Sequence, residues 1–162
     1  MHSNDIDPMG VSGNCQSIGV AIDRSSGPGA SAGILRNNII SAGNCRKRFA
    51  VEELSNTTAR VVENNDLYEG ESSSATDTSV LYHRGDTDAL TAEQINALAG
   101  AANNISAGPK FASYPTNLHL TTGSLLCIDH GTAEGAPATD ADGNSRPQGN
   151  GYDIGAYEFP SQ

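Results

Sequence analysis

The chain has 162 residues, which is the length of a single domain with room for a buried core. Nineteen acidic and nine basic residues give a formal net charge of −10, which argues against nucleic acid and anionic membranes as partners because both bind cationic surfaces. No apolar run reaches the roughly eighteen residues of a membrane-spanning helix, and residues 1–5 lack the basic and apolar regions of a signal peptide.

The chain repeats itself with a period close to thirty residues. Gly13-Asn14-Cys15 recurs thirty residues later as Gly43-Asn44-Cys45. The alternating apolar segment 19–23 predicts a strand, and it recurs as 48–52 and, more loosely, as 79–83. A period of this length, with one small structural unit in each period, is typical of a solenoid.

Asparagine pairs recur with the predicted strands, at Asn37-Asn38, Asn64-Asn65 and Asn103-Asn104. Asparagine tolerates the left-handed backbone of a sharp corner, and stacked side-chain amides can hydrogen-bond from one repeat to the next as a ladder. Such corners do not suit hairpins, so each strand is expected to pair with its equivalent one repeat later. The sequence therefore predicts an all-β solenoid with three parallel sheets around a common core.

The cysteines number three, so at least one has no partner within the chain. Cys15 and Cys45 occupy equivalent places in consecutive repeats, where stacked strands are about 4.8 Å apart. A disulfide is geometrically allowed at that spacing, and a stack of unbonded thiols is the alternative. Cys127 follows Leu125-Leu126 and is predicted to be a small buried apolar residue.

After Tyr82 the repeat breaks, and one short helix is predicted near 91–100. Thr91 and Gln94 form a capping box, and Ile95 and Leu98 lie on an apolar stripe. Gly100 suits the C-terminal end of the helix. We expect residues 1–108 to form the repeats with this inserted helix. Residues 109–162, which are dense in Gly, Pro, Asp and Thr, are expected to form an irregular C-terminal cap.

The closing segment resembles the end of bacterial choice-of-anchor proteins. These are cell-surface or secreted proteins that form a right-handed parallel β-helix with a polysaccharide-lyase-like fold. The resemblance is carried by the segments 103–111, 118–124, 127–131, 138–147 and 152–158. It implies a right-handed parallel β-helix and an extracellular or cell-surface setting related to carbohydrate. The function we favour is a non-catalytic module, structural or carbohydrate-binding.

The alternative function is that of a polysaccharide lyase or glycoside hydrolase acting on the exposed face of the first parallel sheet. Whether the chain alone is an enzyme stays open, with the non-enzymatic interpretation favoured. The predicted groove is short, and the chain has no Trp on which a sugar ring could stack.

The candidate catalytic or ligand-binding residues are Asp23, Glu52 and His83. If Val20 stacks on Phe49 and on Val80, these three side chains form one outward column. Two carboxylates and an imidazole can act as acid and base on a sugar, or can bind it. The alternative is a solvated acidic face without a ligand.

Asp140, Asp142 and Asn144 are the candidate metal ligands. Oxygen-bearing side chains at alternating positions around Gly143 resemble the start of a calcium loop, but Gly151 stands where such a loop has its distal glutamate. We favour a structural turn, in which Arg146 pairs with one of these carboxylates. Calcium is the only cofactor the sequence suggests.

The N-terminal end of the predicted solenoid has no evident cap in residues 1–13. Open strand edges and exposed apolar side chains favour further pairing. We therefore expect either missing upstream repeats or a homodimer through the N-terminal repeat, with a monomer whose first residues fold back over the opening as the alternative.

Overall fold

The computed structural model describes residues 4–6, 15–22, 33–54, 60–70 and 77–160. Within these residues the protein is mainly β, with one short helix. The strands are β1 (Asp5–Ile6), β2 (Gln16–Ile22), β3 (Ile34–Arg36), β4 (Ile39–Ser41), β5 (Lys47–Glu53), β6 (Val61–Glu63), β7 (Asp66–Tyr68), β8 (Thr78–Arg84), β9 (Thr87–Ala89), β10 (Ala101–Ala102), β11 (Phe111–Ser113) and β12 (Asn117–Leu120), and the helix is α1 (Ala92–Asn96).

Four small sheets are formed by these strands. In the largest, β2, β5 and β8 are parallel and β9 returns antiparallel to β8. A second sheet has the order β10-β6-β3 and a third the order β1-β4-β7, both parallel. The strands β11 and β12 form a separate antiparallel pair. Aliphatic side chains from the three larger sheets, including Val20, Leu35 and Leu67, bury one core.

The prediction of an all-β, right-handed parallel β-helix with three parallel sheets is wrong. The sheets have only two to four strands, parallel and antiparallel pairings are mixed, and the sheets form neither a solenoid nor a closed β-helix. One physical cause is the turn at Gly85-Asp86, where Gly85 has a φ of 58° and reverses the chain. The repeat is present locally, as parallel pairing between equivalent strands.

The corners contain the asparagine pairs, whose two members differ in conformation. The first member of each pair has left-handed backbone, with φ of 55° at Asn37, 53° at Asn64 and 55° at Asn103. The second member is buried and hydrogen-bonds across strands. Asn38 Nδ2 donates to Asn65 Oδ1 at 2.9 Å, and Asn65 Nδ2 donates to Asn104 Oδ1 at 2.9 Å. Amide-to-amide stacking at these corners is thus present, as the sequence predicted.

The helix α1 begins with the predicted capping box of Thr91 and Gln94. It ends at Asn96, earlier than predicted, where the side chain of Asn96 exchanges hydrogen bonds with Asn104. The Asn96 amide accepts from Asn104 Nδ2 at 2.9 Å and so continues the row of amides onto the helix. Ile95 is fully buried and anchors the helix on the core.

The residues after Phe111 pack on the side of the β4 strand. Leu120, Cys127 and Ile154 bury a second apolar cluster with Ile39. The left-handed asparagines bind this segment: Asn37 exchanges two hydrogen bonds with the backbone of Thr132, and Asn64 Nδ2 donates to the carbonyl of His130. The boundary proposed between residues 108 and 109 stays a prediction.

The N-terminal part contributes one strand and a disulfide. Asp5–Ile6 pairs in parallel with β4, so part of the segment predicted to leave the end open is itself a strand. Cys15 and Cys45 form a disulfide with a Cα–Cα distance of 5.1 Å, which decides between the two alternatives for these cysteines. Cys127 is buried, as predicted, and takes no part in a disulfide. The homodimer stays a prediction.

Candidate functional site

Three polar side chains stand side by side in the largest sheet. The parallel pairing of β5 with β8 places Glu52 opposite His83, and the antiparallel pairing of β8 with β9 places Asp88 on the other side of His83. Neighbouring strands are about 4.8 Å apart, so the three groups form a continuous line. We call Glu52, His83 and Asp88 the acid–imidazole row.

The imidazole of His83 is held by its carboxylate neighbour. His83 Nδ1 lies 2.6 Å from Asp88 Oδ1, and the two side chains are 21% and 51% exposed. Because an ionised carboxylate only accepts hydrogen bonds, Nδ1 carries the proton and Nε2 is the nitrogen left for another partner. The ring of Phe49 packs against His83 with a centroid separation of 5.5 Å and fixes the imidazole from one side.

The predicted column of Asp23, Glu52 and His83 is corrected by the strand register. Val20 pairs with Val51 rather than with Phe49, so the residue beside Glu52 is Ala21. Asp23 itself lies outside the described residues. The predicted adjacency of Glu52 and His83 is confirmed by their cross-strand pairing.

Asp88 was missed by the sequence reasoning, although a signal for it exists. Gly85 and Asp86 form a two-residue turn between β8 and β9. A turn of this length fixes the register of the hairpin, which pairs Arg84 with Thr87 and His83 with Asp88. A hairpin prediction at Gly85 would therefore have found the second carboxylate.

On the same strands, a buried charged cluster lies next to the row. Arg60 Nε lies 2.8 Å from Glu53 Oε2, and the Tyr82 hydroxyl donates to the same oxygen at 2.8 Å. Burial raises the pKa of Tyr82 far above its ordinary value, and the Glu53 carboxylate adds to the rise. The phenol therefore stays protonated and holds Glu53 in place, which is a structural task.

A cleft of about 370 Å³ opens where the β8–β9 hairpin meets the end of α1. Its described lining is Arg84, Asp86, Thr87 and Leu98. The backbone N–H of Gly85 donates to the carbonyl of Glu53 at 3.0 Å and fixes the turn beside this cleft. The cleft is separate from the acid–imidazole row, because Arg84 and His83 are successive residues of one strand and face opposite sides of it.

The side chains of the predicted calcium loop form hydrogen bonds within the protein. Asp140 Oδ1 accepts the backbone N–H groups of Asp142 and Asn144, and its Oδ2 accepts the N–H of Glu158. Burial opposes ionisation of Asp140, but these hydrogen bonds lower its pKa below the ordinary value. Asp142 contacts His119 at 2.7 Å.

The geometry at Asp140, Asp142 and Asn144 is that of a self-bonded turn. In the described ranges, no group of three or more His, Cys, Asp or Glu side chains is placed to hold a metal ion. Calcium binding at these residues stays a prediction. The expected partner of Arg146 is corrected: its Nε pairs with Glu158 Oε1 at 2.6 Å, both side chains fully buried.

Beside this ion pair lies a buried carboxyl group with a perturbed pKa. Burial raises the pKa of Asp153 to about 6, although hydrogen bonds from the N–H groups of Asp129 and Phe159 oppose the rise. The carboxylates of Glu158 and Asp129 raise it further. Asp153 is 1% exposed, and its two carboxylate oxygens accept the backbone N–H groups of Asp129 and Phe159, so its role is structural.

Comparison with known proteins gives no family: no family model, curated protein or solved structure matches the chain. The resemblance to choice-of-anchor proteins therefore rests on the sequence segments alone. Among the described residues, no helix is long and apolar enough to span a membrane.

Proposed function

We propose that this chain is a non-catalytic extracellular module that binds carbohydrate through the acid–imidazole row. The observation that carries the proposal is the in-register line of Glu52, His83 and Asp88, with the imidazole fixed by the 2.6 Å contact to Asp88. Carboxylates accept hydrogen bonds from hydroxyl groups, and the second imidazole nitrogen adds a further polar contact. A pre-positioned line of such groups suits a polyhydroxylated chain.

The arrangement favours binding over catalysis. Glycoside hydrolysis uses two carboxyl groups that flank the scissile bond with nothing between them except the sugar and a water. Here the His83 imidazole stands between Glu52 and Asp88, and Asp88 is engaged by that imidazole. The alternative, a polysaccharide lyase or glycoside hydrolase, would use His83 Nε2 as a base oriented by Asp88.

The extracellular setting is supported by the Cys15–Cys45 disulfide, because structural disulfides persist in oxidising compartments. The net charge of −10 favours solubility. It does not suit nucleic-acid binding, which needs a cationic surface. A homodimer through the N-terminal segment belongs to the same proposal.

The proposal is tested by titrating a panel of neutral and acidic oligosaccharides into the wild-type protein by calorimetry, with unsaturated and reducing-end products measured in parallel. We expect binding without product formation. His83→Ala and Glu52→Gln are expected to weaken binding by about tenfold or more, which is about 1.4 kcal/mol.

Asp86→Asn is the matched control, because Asp86 is an exposed acid two residues from Asp88 but outside the row. It should bind as the wild type does. Product formation that His83→Ala abolishes would establish the enzymatic alternative, and equal affinities for all four proteins would refute the row as the binding surface.

A further inference from the structure

The backbone at Gly151 is packed closely against the backbone of Asp129. A Cβ atom built on Gly151 would lie 2.9 Å from the carbonyl oxygen of Asp129 and 3.4 Å from its Cα. A side chain at this position would therefore push two pieces of backbone apart, which a close-packed interior resists. Packing thus requires glycine at position 151, directly after Asn150.

An asparagine that precedes a glycine is the sequence most prone to spontaneous deamidation. The glycine nitrogen loses its proton to a base in solution and attacks the carbonyl carbon of the asparagine side chain. The bond from that carbon to the amide nitrogen breaks, ammonia leaves, and a cyclic imide remains. Water then opens the imide to aspartate or isoaspartate. Glycine favours the attack because it has no Cβ to hinder it.

The side chain of Asn150 is open to this reaction. Asn150 is exposed, and within the described ranges its side-chain amide has no hydrogen-bond partner. The amide is therefore not restrained from turning its carbonyl carbon toward the nitrogen of Gly151. Asn103 is exposed as well, but it precedes Asn104, whose side chain hinders the same attack.

The nitrogen that would attack is held by a carboxylate. The backbone N–H of Gly151 donates to Asp129 Oδ1 at 2.8 Å. Hydrogen bonds to an ionised acceptor are stronger than those to a neutral one. The negative charge of the carboxylate also opposes loss of the proton from the nitrogen beside it. In the folded protein this nitrogen is therefore engaged and kept protonated.

Asp129 is itself fixed in place. It has left-handed backbone, with a φ of 60°, and its N–H donates to Asp153 Oδ1 at 2.8 Å. Close by, the N–H of Ile154 donates to the carbonyl of Cys127 at 2.9 Å. These bonds join the two segments of chain, so Asp129 releases Gly151 only when the segments part.

We propose that Asn150 is a deamidation site whose reaction with Gly151 is held back by the carboxylate of Asp129. The reaction proceeds when the contact between Asp129 and Gly151 opens, so its rate follows the population of the open form. Either product carries a new negative charge beside Asp129, and isoaspartate also lengthens the backbone by one carbon atom. Both changes weaken the hydrogen bonds that join residues 151–154 to residues 127–131.

The site is tested by incubating the protein at pH 8 and 37 °C and following conversion at position 150 by peptide mass spectrometry. A sample unfolded in urea gives the rate without the contact, and we expect the folded wild type to react about tenfold or more slowly than that. Asp129→Gly should react about tenfold faster than the folded wild type, because it removes a charged acceptor. Glycine suits the left-handed φ at position 129, so the variant adds no backbone strain.

Hydrogen exchange at the N–H of Ile154 shows whether this region stays folded in each variant, because that group bonds to the carbonyl of Cys127. If Asp129→Gly loses the protection, Asp129→Asn decides. It keeps a neutral acceptor at the same place, and it should react about threefold faster than the wild type.

Asp86→Gly is the matched control, since it removes an exposed carboxylate in the turn between β8 and β9. It should react at the wild-type rate, and Asn103 should stay unconverted in every folded sample. Equal rates in the folded and unfolded wild type, or the wild-type rate in the Asp129 variant that stays folded, would overturn the proposal.

Discussion

At the scale of single residues, the polar groups divide into those that hold the protein together and those open to solvent. Asn65, Asp66, Glu53 and Asp153 are buried and hydrogen-bonded, while Asp88 is half exposed. A buried polar group costs free energy unless it is paired, so the interior groups are committed to structure. Function is therefore expected from polar groups that solvent can reach, which is why the acid–imidazole row is the candidate.

Asp153 is expected to make stability depend on pH. Its pKa is raised to about 6 in the folded protein, so the folded state keeps a proton that the unfolded state releases near pH 4. The contribution to the free energy of unfolding is therefore fully present below about pH 4 and is lost as the pH rises to about 6. A rise of about two pKa units corresponds to at most about 3 kcal/mol.

The measurement is urea unfolding between pH 4 and 7, compared for the wild type and Asp153→Asn. The variant loses one acceptor for a backbone N–H at every pH. It should also lack the part of the slope of unfolding free energy against pH that Asp153 contributes. Asp66, whose pKa burial also raises, adds to the slope in both proteins, and Asp140, whose pKa is lowered, opposes it. The exposed control Asp86→Asn should follow the wild type, and identical slopes in Asp153→Asn and the wild type would contradict the prediction.

At the scale of elements, the corner amides connect strands that have few other bonds. Asn65 Oδ1 accepts from both the backbone and the side chain of Asn38, while Asn65 Nδ2 donates to Leu35 and to Asn104. Strands of three residues form few ladder hydrogen bonds, so the side-chain amides supply a large share of the polar contacts there.

Asn65→Asp is expected to lower the free energy of unfolding by about 3 kcal/mol or more. A carboxylate cannot donate, so the oxygen that replaces Nδ2 would be buried against the oxygens of Leu35 and Asn104 and would lose both hydrogen bonds. Asn103→Asp is the matched control, because Asn103 is exposed and has a left-handed φ that Asp also tolerates. Its change should stay within about 0.5 kcal/mol. Chemical denaturation of both variants checks this, and equal losses would contradict the role of the ladder.

Local parts of this arrangement were predictable from the sequence, and the long-range parts were not. The asparagine pairs, the capping box of Thr91 and the buried Cys127 each have a short-range physical signal. The register of β2 against β5 was missed, because Val20 can stack on Phe49 or on Val51 with the same apolar fit. The repeat also suggested a solenoid, since nothing in a period of thirty residues reveals that β9 turns back on β8.

At the scale of the whole molecule, the closing segment is bound along the corners of the sheets. Asn37 and Asn64 hold Thr132 and His130, Arg36 pairs with Glu134 at 2.9 Å, and the Cys127 thiol donates to Asp66. These contacts join residues more than sixty positions apart and were not predictable from the sequence. They hold the closing segment against the sheets, the largest of which carries the acid–imidazole row.

Carbohydrate binding by the acid–imidazole row can be located by mapping backbone amide shifts in ¹H–¹⁵N spectra while an oligosaccharide that binds in calorimetry is added. We expect the shifts to cluster on Glu52, His83 and Asp88 and on their strand neighbours, and to vanish in His83→Ala. Shifts confined to the turn of residues 140–144 or to the cleft beside Arg84, with the row unchanged, would contradict it.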